Sequence, residues 1–258
     1  LDLIKKDPDF KNLRKIVTQD MLSGQSKTRK ERAEGRYSYS MLRNALSAEG
    51  LDLSRYGFYS FKMGEKQRIR EMLADEAKSY FGDRKITYFG LEGPTFGSYF
   101  ALAQVMRINV KGSLVPERKR RNYNVIQKIS KSRSVNSLLN ENSLHSLEIV
   151  LRSAEESLQR TDKKFDLEFL DWLGHLSPSG IRELELAYAH LKGGGMIVVT
   201  LNMSSVSENR YKKQTGLGIS QDGYMRQWAE VKGMKIQDVD YVGGDKKRTP
   251  MKVYIMKK

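Results

Sequence analysis

Cysteine is absent from the 258 residues. That excludes disulfides, thiolate metal sites and every reaction that runs through a cysteine nucleophile. Histidine occurs only three times, and His145, His175 and His190 stand far apart in sequence, which argues against a histidine metal cluster. No run of roughly 18 apolar residues is present, so no membrane-spanning helix is expected. The first residues carry Asp2, Lys5, Lys6, Asp7 and Asp9, unlike a secretory signal, and the expectation is an intracellular, cytoplasmic, soluble chain with no membrane partner. Negative charge is also in short supply. Lys and Arg number 46 against 31 Asp and Glu, a formal net charge of +15 at a pI near 9.7. Such an excess points to a polyanionic partner, nucleic acid first. What is present suffices for a core: hydrophobic residues make up 39% of the chain, which excludes wholesale disorder.

The chain changes character near residue 85. Before it, apolar residues at helical spacing suggest helices over Asp9–Leu22, Tyr37–Ala48 and Glu65–Phe81, with a polar, basic linker at 23–32. Residues 1–84 therefore read as a helical N-terminal extension, and 85–258 as the main domain. After it, strands and helices alternate. Strands are expected at 86–91, 111–116, 147–151, 164–171 and 196–201, with helices at 96–107, 122–131, 154–159 and 179–191 between them. A tight turn is expected at Gly193-Gly194-Gly195, and a polar loop at 132–143. A last helix at 222–232 precedes two strands, 235–242 and 251–256, joined as a hairpin. Strand, helix, strand at this spacing is a parallel crossover, and open sheets of such units bind ligands at the carboxyl ends of their strands. The fold class is thus α/β, a mostly parallel sheet ending in an antiparallel hairpin.

Candidate chemistry gathers at those strand ends. The first strand runs into Gly90-Leu91-Glu92-Gly93-Pro94-Thr95-Phe96-Gly97, where Gly93 and Gly97 permit close approach of backbone to ligand before a helix N-terminus. It is neither G-x-x-x-x-G-K-[ST] nor G-x-G-x-x-G. Glu117 closes the second strand, placed either to accept hydrogen bonds from ribose hydroxyls or to face its arginine neighbours. Ser153 and Ala154 open the turn after the third strand. Asp171 and Trp172 end the fourth, as an acid that can orient or deprotonate a group and a ring that can stack on a base or pack in the core.

Together these pieces resemble the class I S-adenosylmethionine-dependent methyltransferases over roughly residues 85–258. The resemblance implies a Rossmann-like seven-stranded sheet and S-adenosylmethionine as cofactor; with no cysteine and three scattered histidines, no metal is expected. On it, Glu92, Gly93 and Gly97 match the acidic-glycine first motif, Glu117 the ribose-binding acid, and Ser153 with Ala154 the adenine side. Asp171-Trp172-Leu173-Gly174 falls on the fourth motif, and Phe169-Leu170-Asp171-x-x-Gly174 looks most like the D-P-F-G form found in nucleic-acid enzymes. Asp171 and Trp172 are then the catalytic candidates, with Asp171 also beside the cofactor.

Basic clusters at Arg118, Arg120 and Arg121, at Lys212 and Lys213, and at Lys246, Lys247 and Arg248 supply candidate phosphate contacts, with Tyr37, Tyr39, Tyr123 and Tyr211 interleaved for stacking. The expected function is methyl transfer to nucleic acid, RNA ahead of DNA. Two rivals stand beside it: a non-enzymatic nucleic-acid-binding protein on a degenerate methyltransferase fold, and a methyltransferase for small molecules or proteins.

Overall fold

The computed structural model describes residues 64–93, 96–172, 174–243 and 249–258, with Ser47 and Gly50. The expected helix at Asp9–Leu22, nearly all of that at Tyr37–Ala48, the basic linker, Tyr37, Tyr39, and the Lys246-Lys247-Arg248 cluster lie outside these residues. The chain divides into two compact units, Leu1–Tyr39 and Ser40–Lys258, and all described residues belong to the second.

Helix α1, Gly64–Phe81, buries Ile69, Leu73, Ala74, Ala77 and Phe81 along one stripe, as helical spacing requires. Strand β1 (Tyr88–Gly90) leads into α2 (Gly97–Ala103), shorter than the expected 96–107. Strand β2 (Leu114–Pro116) is followed by α3 (Arg120–Lys131) and α4 (Arg133–Leu139). Then come β3 (Glu148–Val150), α5 (Ala154–Gln159), β4 (Phe165–Asp171), α6 (Pro178–His190) and β5 (Leu191–Asn202). Helices α7 (Ser205–Thr215) and α8 (Gln221–Val231) precede the hairpin of β6 (Lys235–Gly243) and β7 (Thr249–Lys257). The seven strands form one sheet in the order β3-β2-β1-β4-β5-β7-β6. The first five strands are mutually parallel, and β7 runs antiparallel to both β5 and β6. The α/β class and the terminal hairpin are therefore as the sequence led one to expect.

Register assigns side chains to faces, because lateral partners in a sheet point the same way. Phe89, Glu168 and Ile197 are lateral partners across β1, β4 and β5. They share their face with Leu170 and Val199, and Phe89 and Ile197 belong to one core cluster with Leu158, Leu184, Ala187, Met225 and Trp228 of α5, α6 and α8. The opposite face carries Gly90, Phe169 and Val198 as partners. Leu167, Phe169 and Val198 there line a cavity with Arg70 and Leu73 of α1 and Ser98 and Leu102 of α2.

Three local expectations change. Residues 132–143 are not a loop but α4 and a short 3-10 turn, Asn140–Asn142. Their polar side chains turn inward: Asn136 Nδ2 donates to the Ser130 and Ser132 carbonyls, and Asn142 Nδ2 to those of Ala103 and Met106. Such asparagines knit backbone together while looking like loop residues in sequence. The Gly193–Gly195 turn lies within the bounds of β5, where pairing with β4 jumps from Phe165↔Leu191 to Leu167↔Met196. Helix α7 was not expected at all. Its Tyr211 is completely buried in the core, so the stacking role read for that ring is corrected: no base can reach it.

Candidate functional site

The parallel strands β2, β1 and β4 are neighbours, so Glu117, the loop after Gly90, and Asp171 all stand at one edge of the sheet. Ser153 follows β3 at the same edge. The sequence candidates are thus brought to one side of the molecule, although their individual environments differ.

Glu92 is only 3% exposed. Its Oε1 accepts from the Tyr88 hydroxyl and, at 2.9 Å, from the Tyr99 N–H, while Oε2 accepts from the Ser98 N–H at 3.2 Å. These amides are among the orphan donors that every helix start leaves open. Glu92 therefore organises the β1–α2 loop from within. Burial raises its carboxyl above the ordinary range, against the lowering effect of the Tyr88 hydrogen bond and the Arg70 charge. The Tyr88 phenol lies where a side chain at Gly90 would begin, so Gly90 must remain glycine. Phe96, the residue that enters α2, has a left-handed backbone at φ 49° with its ring fully buried against Tyr99 and Phe100. A bulky residue there stores on the order of 1–3 kcal/mol of strain, and packing must hold it. Gly93, in contrast, is exposed and faces open space.

Glu117 is half-buried; its Oε1 accepts from the Lys119 N–H at 2.7 Å and Oε2 from Asn122 Nδ2 at 3.1 Å. Ser153 caps α5, its Oγ accepting from the Glu156 N–H at 3.1 Å, and Ala154 is buried behind it. Asp171 is half-buried, and its charge acts on Glu92, Tyr88 and Tyr241, raising all three. Trp172 packs against the core cluster with its indole N–H donating to Glu183 Oε2 at 2.8 Å. Burial raises the Glu183 carboxyl, and that hydrogen bond works against it. His175 pairs with Gln214.

Arg70, on α1, escaped the sequence reading. It is 6% exposed, and its guanidinium fills the space where a side chain on Gly97 would stand. Its charge reaches Glu92, Tyr88 and Tyr241. The available signal was positional: Arg70 shares the buried stripe of Leu73, Ala74, Ala77 and Phe81, where a charged residue has no business unless something needs it.

Of the basic candidates, Arg118, Arg120 and Arg121 are exposed directly beyond β2, at the site edge. Lys212 and Lys213 are exposed in the last turn of α7, and Lys212 pairs with Glu208 at 3.7 Å. No group of three or more potential metal ligands, and no helix long and apolar enough to cross a membrane, occurs among the described residues.

No protein-family model matches this sequence. No curated protein matches it either. Solved structures do. An O-methyltransferase from Bacillus cereus, in complex with S-adenosylhomocysteine, superposes with a TM-score of 0.55 at 16% identity, covering 86% of this chain and 92% of its own. An N-methyltransferase from Bradyrhizobium japonicum, also with S-adenosylhomocysteine, does so at 0.51 and 11% identity, covering 77% and 90%. Identities this low speak for architecture. With its strand order and terminal hairpin, the chain has the fold of the class I S-adenosylmethionine-dependent methyltransferases.

Proposed function

We propose that this protein is an S-adenosylmethionine-dependent methyltransferase acting on nucleic acid, RNA ahead of DNA. The observation that supports the enzymatic reading is that Glu117, Asp171 and the glycine loop after β1 stand at one edge of the sheet, the edge of the parallel strand ends. Gly93 and Gly174 both face open space among the described residues, which supports reading the β1 and β4 loops as ligand loops. When bound, the cofactor supplies a methyl group already activated on a sulfonium, so the protein's work is alignment and exclusion of water. Glu117 accepts from the ribose hydroxyls, its two oxygens each having an acceptor site beyond the bonds from Lys119 and Asn122. Ser153 and Ala154 flank the adenine side. Glu92 keeps the loop in shape, with Gly93 and Gly97 letting the backbone come close. Asp171 orients the acceptor and takes its proton. Trp172, tethered to Glu183, borders the acceptor beside Asp171.

The nucleic-acid part rests on Arg118, Arg120 and Arg121, exposed beside that edge, and on the net charge of +15. RNA comes first on the Phe169-Leu170-Asp171-x-x-Gly174 pattern. The test is methyl transfer from labelled donor to separate RNA, DNA and peptide pools. Label in RNA, lost in Asp171→Ala while S-adenosylhomocysteine still binds, is the expected result. Glu117→Ala should weaken that binding about tenfold to a hundredfold, the loss of a charged hydrogen-bond acceptor. Label confined to peptides or small molecules would move the substrate class, and no binding of the cofactor product at millimolar concentration would end the enzymatic reading.

A further inference from the structure

The site candidates stand at the carboxyl ends of the parallel strands, and the opposite edge of the sheet carries a row of cations. Arg84 and Lys85 precede β1, Lys111 precedes β2, Lys163 and Lys164 precede β4, and Lys192 is the second residue of β5. The hairpin continues the row. Lys235 opens β6 and pairs with Lys257 at the end of β7, while the Lys258 N–H bonds the Gly195 carbonyl at 3.0 Å. Neighbouring strands from β2 across to β6 thus each bring a basic side chain to one edge. Only β3 starts with an acid, Glu148.

The middle of the row is fixed from within. Asp166 is 6% exposed; its Oδ2 accepts from Lys192 Nζ at 2.8 Å, and its Oδ1 lies 3.6 Å from Arg84 Nη2. Arg84 Nη2 also donates to the Gly194 carbonyl at 3.1 Å. One buried acid thereby holds two partly exposed cations, and the trio keeps a net positive charge. Lys164 Nζ donates to the Ala189 carbonyl at 2.5 Å, a bond that leaves its charge unopposed. On either side, Lys85, Lys111 and Lys235 are exposed, and their ammonium groups have no partner among the described residues. Of the exposed acids here, Asp83 and Glu148 are taken up by Lys78 and Lys163, which leaves Asp162. Beside Lys192 and Arg84, Gly193 and Gly194 have nothing within 4 Å of where a side chain would begin, so the surface is open.

Solubility alone asks only for mixed signs, not for a line of one sign. Such a line suits a polymer of repeating negative charge, which binds by releasing a counterion as each phosphate meets a cation. The strand spacing of about 4.8 Å sets these cations along a rigid edge. An anionic membrane fits less well. Interfacial binding needs apolar surface to bury, and Val231 is the one large apolar residue exposed at this edge among the described residues. We propose that the amino edge of the sheet is a second nucleic-acid surface. It holds RNA that flanks the acceptor, while Arg118, Arg120 and Arg121 serve the opposite edge. This rests on the nucleic-acid part of the reading above and not on the chemistry at Asp171.

The experiment uses the full chain and a mixed-sequence single-stranded RNA. Lysines are acetylated with and without the RNA and read one by one by mass spectrometry. Lys85, Lys111 and Lys235 should react more slowly in the complex. The second measurement replaces those three together by alanine, which breaks no contact among the described residues and leaves the Asp166 group intact. The log–log salt slope of RNA binding should flatten by about 2, from roughly 0.7 per single-strand phosphate contact, with the thermal midpoint unmoved. Unchanged reactivity of all three lysines, or an unchanged slope, overturns the second surface while RNA binding through the arginines stands. If the unaltered chain binds no RNA, this surface and the nucleic-acid reading fall together. Phosphatidylserine vesicles are titrated in parallel: vesicle binding that the triple variant loses, with its RNA slope unchanged, gives the edge to a membrane and overturns the proposal. The acetylation needs no variant, so it decides even where the triple variant fails to fold.

Discussion

Two buried acids lie on opposite faces of the same sheet and meet burial differently. Glu92 has donors for both oxygens, from Tyr88, Ser98 and Tyr99. Glu168 has none among the described residues, although it is fully buried between Phe89 and Ile197. Its carboxyl is pushed well above the ordinary range by burial, with only the charge of Lys164 pulling the other way. A folded-state value raised above that of the unfolded chain stabilises below the usual carboxylate range, near pH 4.3, and that contribution is lost as pH rises through the folded value. Glu168→Leu keeps roughly the volume and removes the group that must either stay protonated or ionise among apolar neighbours. It should stabilise the protein by about 1–3 kcal/mol at pH 8, the cost of burying a polar group without a partner. At pH 5 the gain should be smaller. Urea unfolding of both proteins at the two pH values reads this directly; a variant no more stable at pH 8 than at pH 5, relative to the parent, would remove Glu168 as the source of the pH dependence.

Elements built on apolar periodicity could be read from the sequence, and those built on caps and polar tethers could not. Strands β4 and β5 declare themselves as apolar runs, since a strand covered on both faces needs little alternation. Helix α7 has only Val206 and Tyr211 as apolar residues in Ser205–Thr215, so no face stands out. Its signals were at the ends: Ser204 accepting from the Ser207 N–H, and Gly216 just past the last turn. Helix α3 shows the opposite case, apolar on one side at Val125, Ile126 and Ile129, and basic on the other. Its inner face fixes the helix to the sheet, so exchange of outward charges leaves the fold unaffected and isolates their effect on binding. Replacing Arg118, Arg120 and Arg121 together by alanine should leave the thermal midpoint within a few degrees, surface changes being worth under about 0.5 kcal/mol each. RNA affinity should fall, and the log–log salt slope should flatten by about 2, from roughly 0.7 per single-strand phosphate contact. Fluorescence anisotropy at several salt concentrations measures both. An unaltered slope would place the nucleic-acid surface elsewhere on the chain.

At the scale of the molecule, the alternation of strands and helices predicts parallel crossovers and a closing hairpin, but nothing local states that β7 slides between β5 and β6. The site was legible to the same degree. Strand ends announce Glu117 and Asp171, whereas Arg70 joins them only because α1 folds back across the sheet to pack on α2 and β6. Such placement is a property of the whole chain. So is the dependence of the sheet on β7, which pairs along its length with β5 on one side, Met196↔Lys257 to Asn202↔Met251, and with β6 on the other. Val253, Tyr254, Ile255 and Met256 are all almost completely buried. Their burial alone is worth about 1.5–3 kcal/mol each, which brings the strand's contribution into the range of a domain's entire stability, about 5–15 kcal/mol. The hairpin is also pinned by charge. Lys252 bonds Asp222 of α8 at 3.0 Å and Asp238 of β6 at 3.2 Å, and the Tyr254 hydroxyl donates to Asp222 at 2.9 Å. Removing residues 249–258 therefore strips β6 of its only sheet neighbour among the described strands and uncovers β5. The shortened chain should lose cooperative thermal unfolding by circular dichroism and all binding of S-adenosylhomocysteine, although no residue proposed to touch that ligand is deleted. Ile255→Ala, a cavity in place of a deletion, should cost about 2–5 kcal/mol and keep the binding. A cooperative melt in the shortened chain would mean that β1 to β5 form a stable sheet without the hairpin.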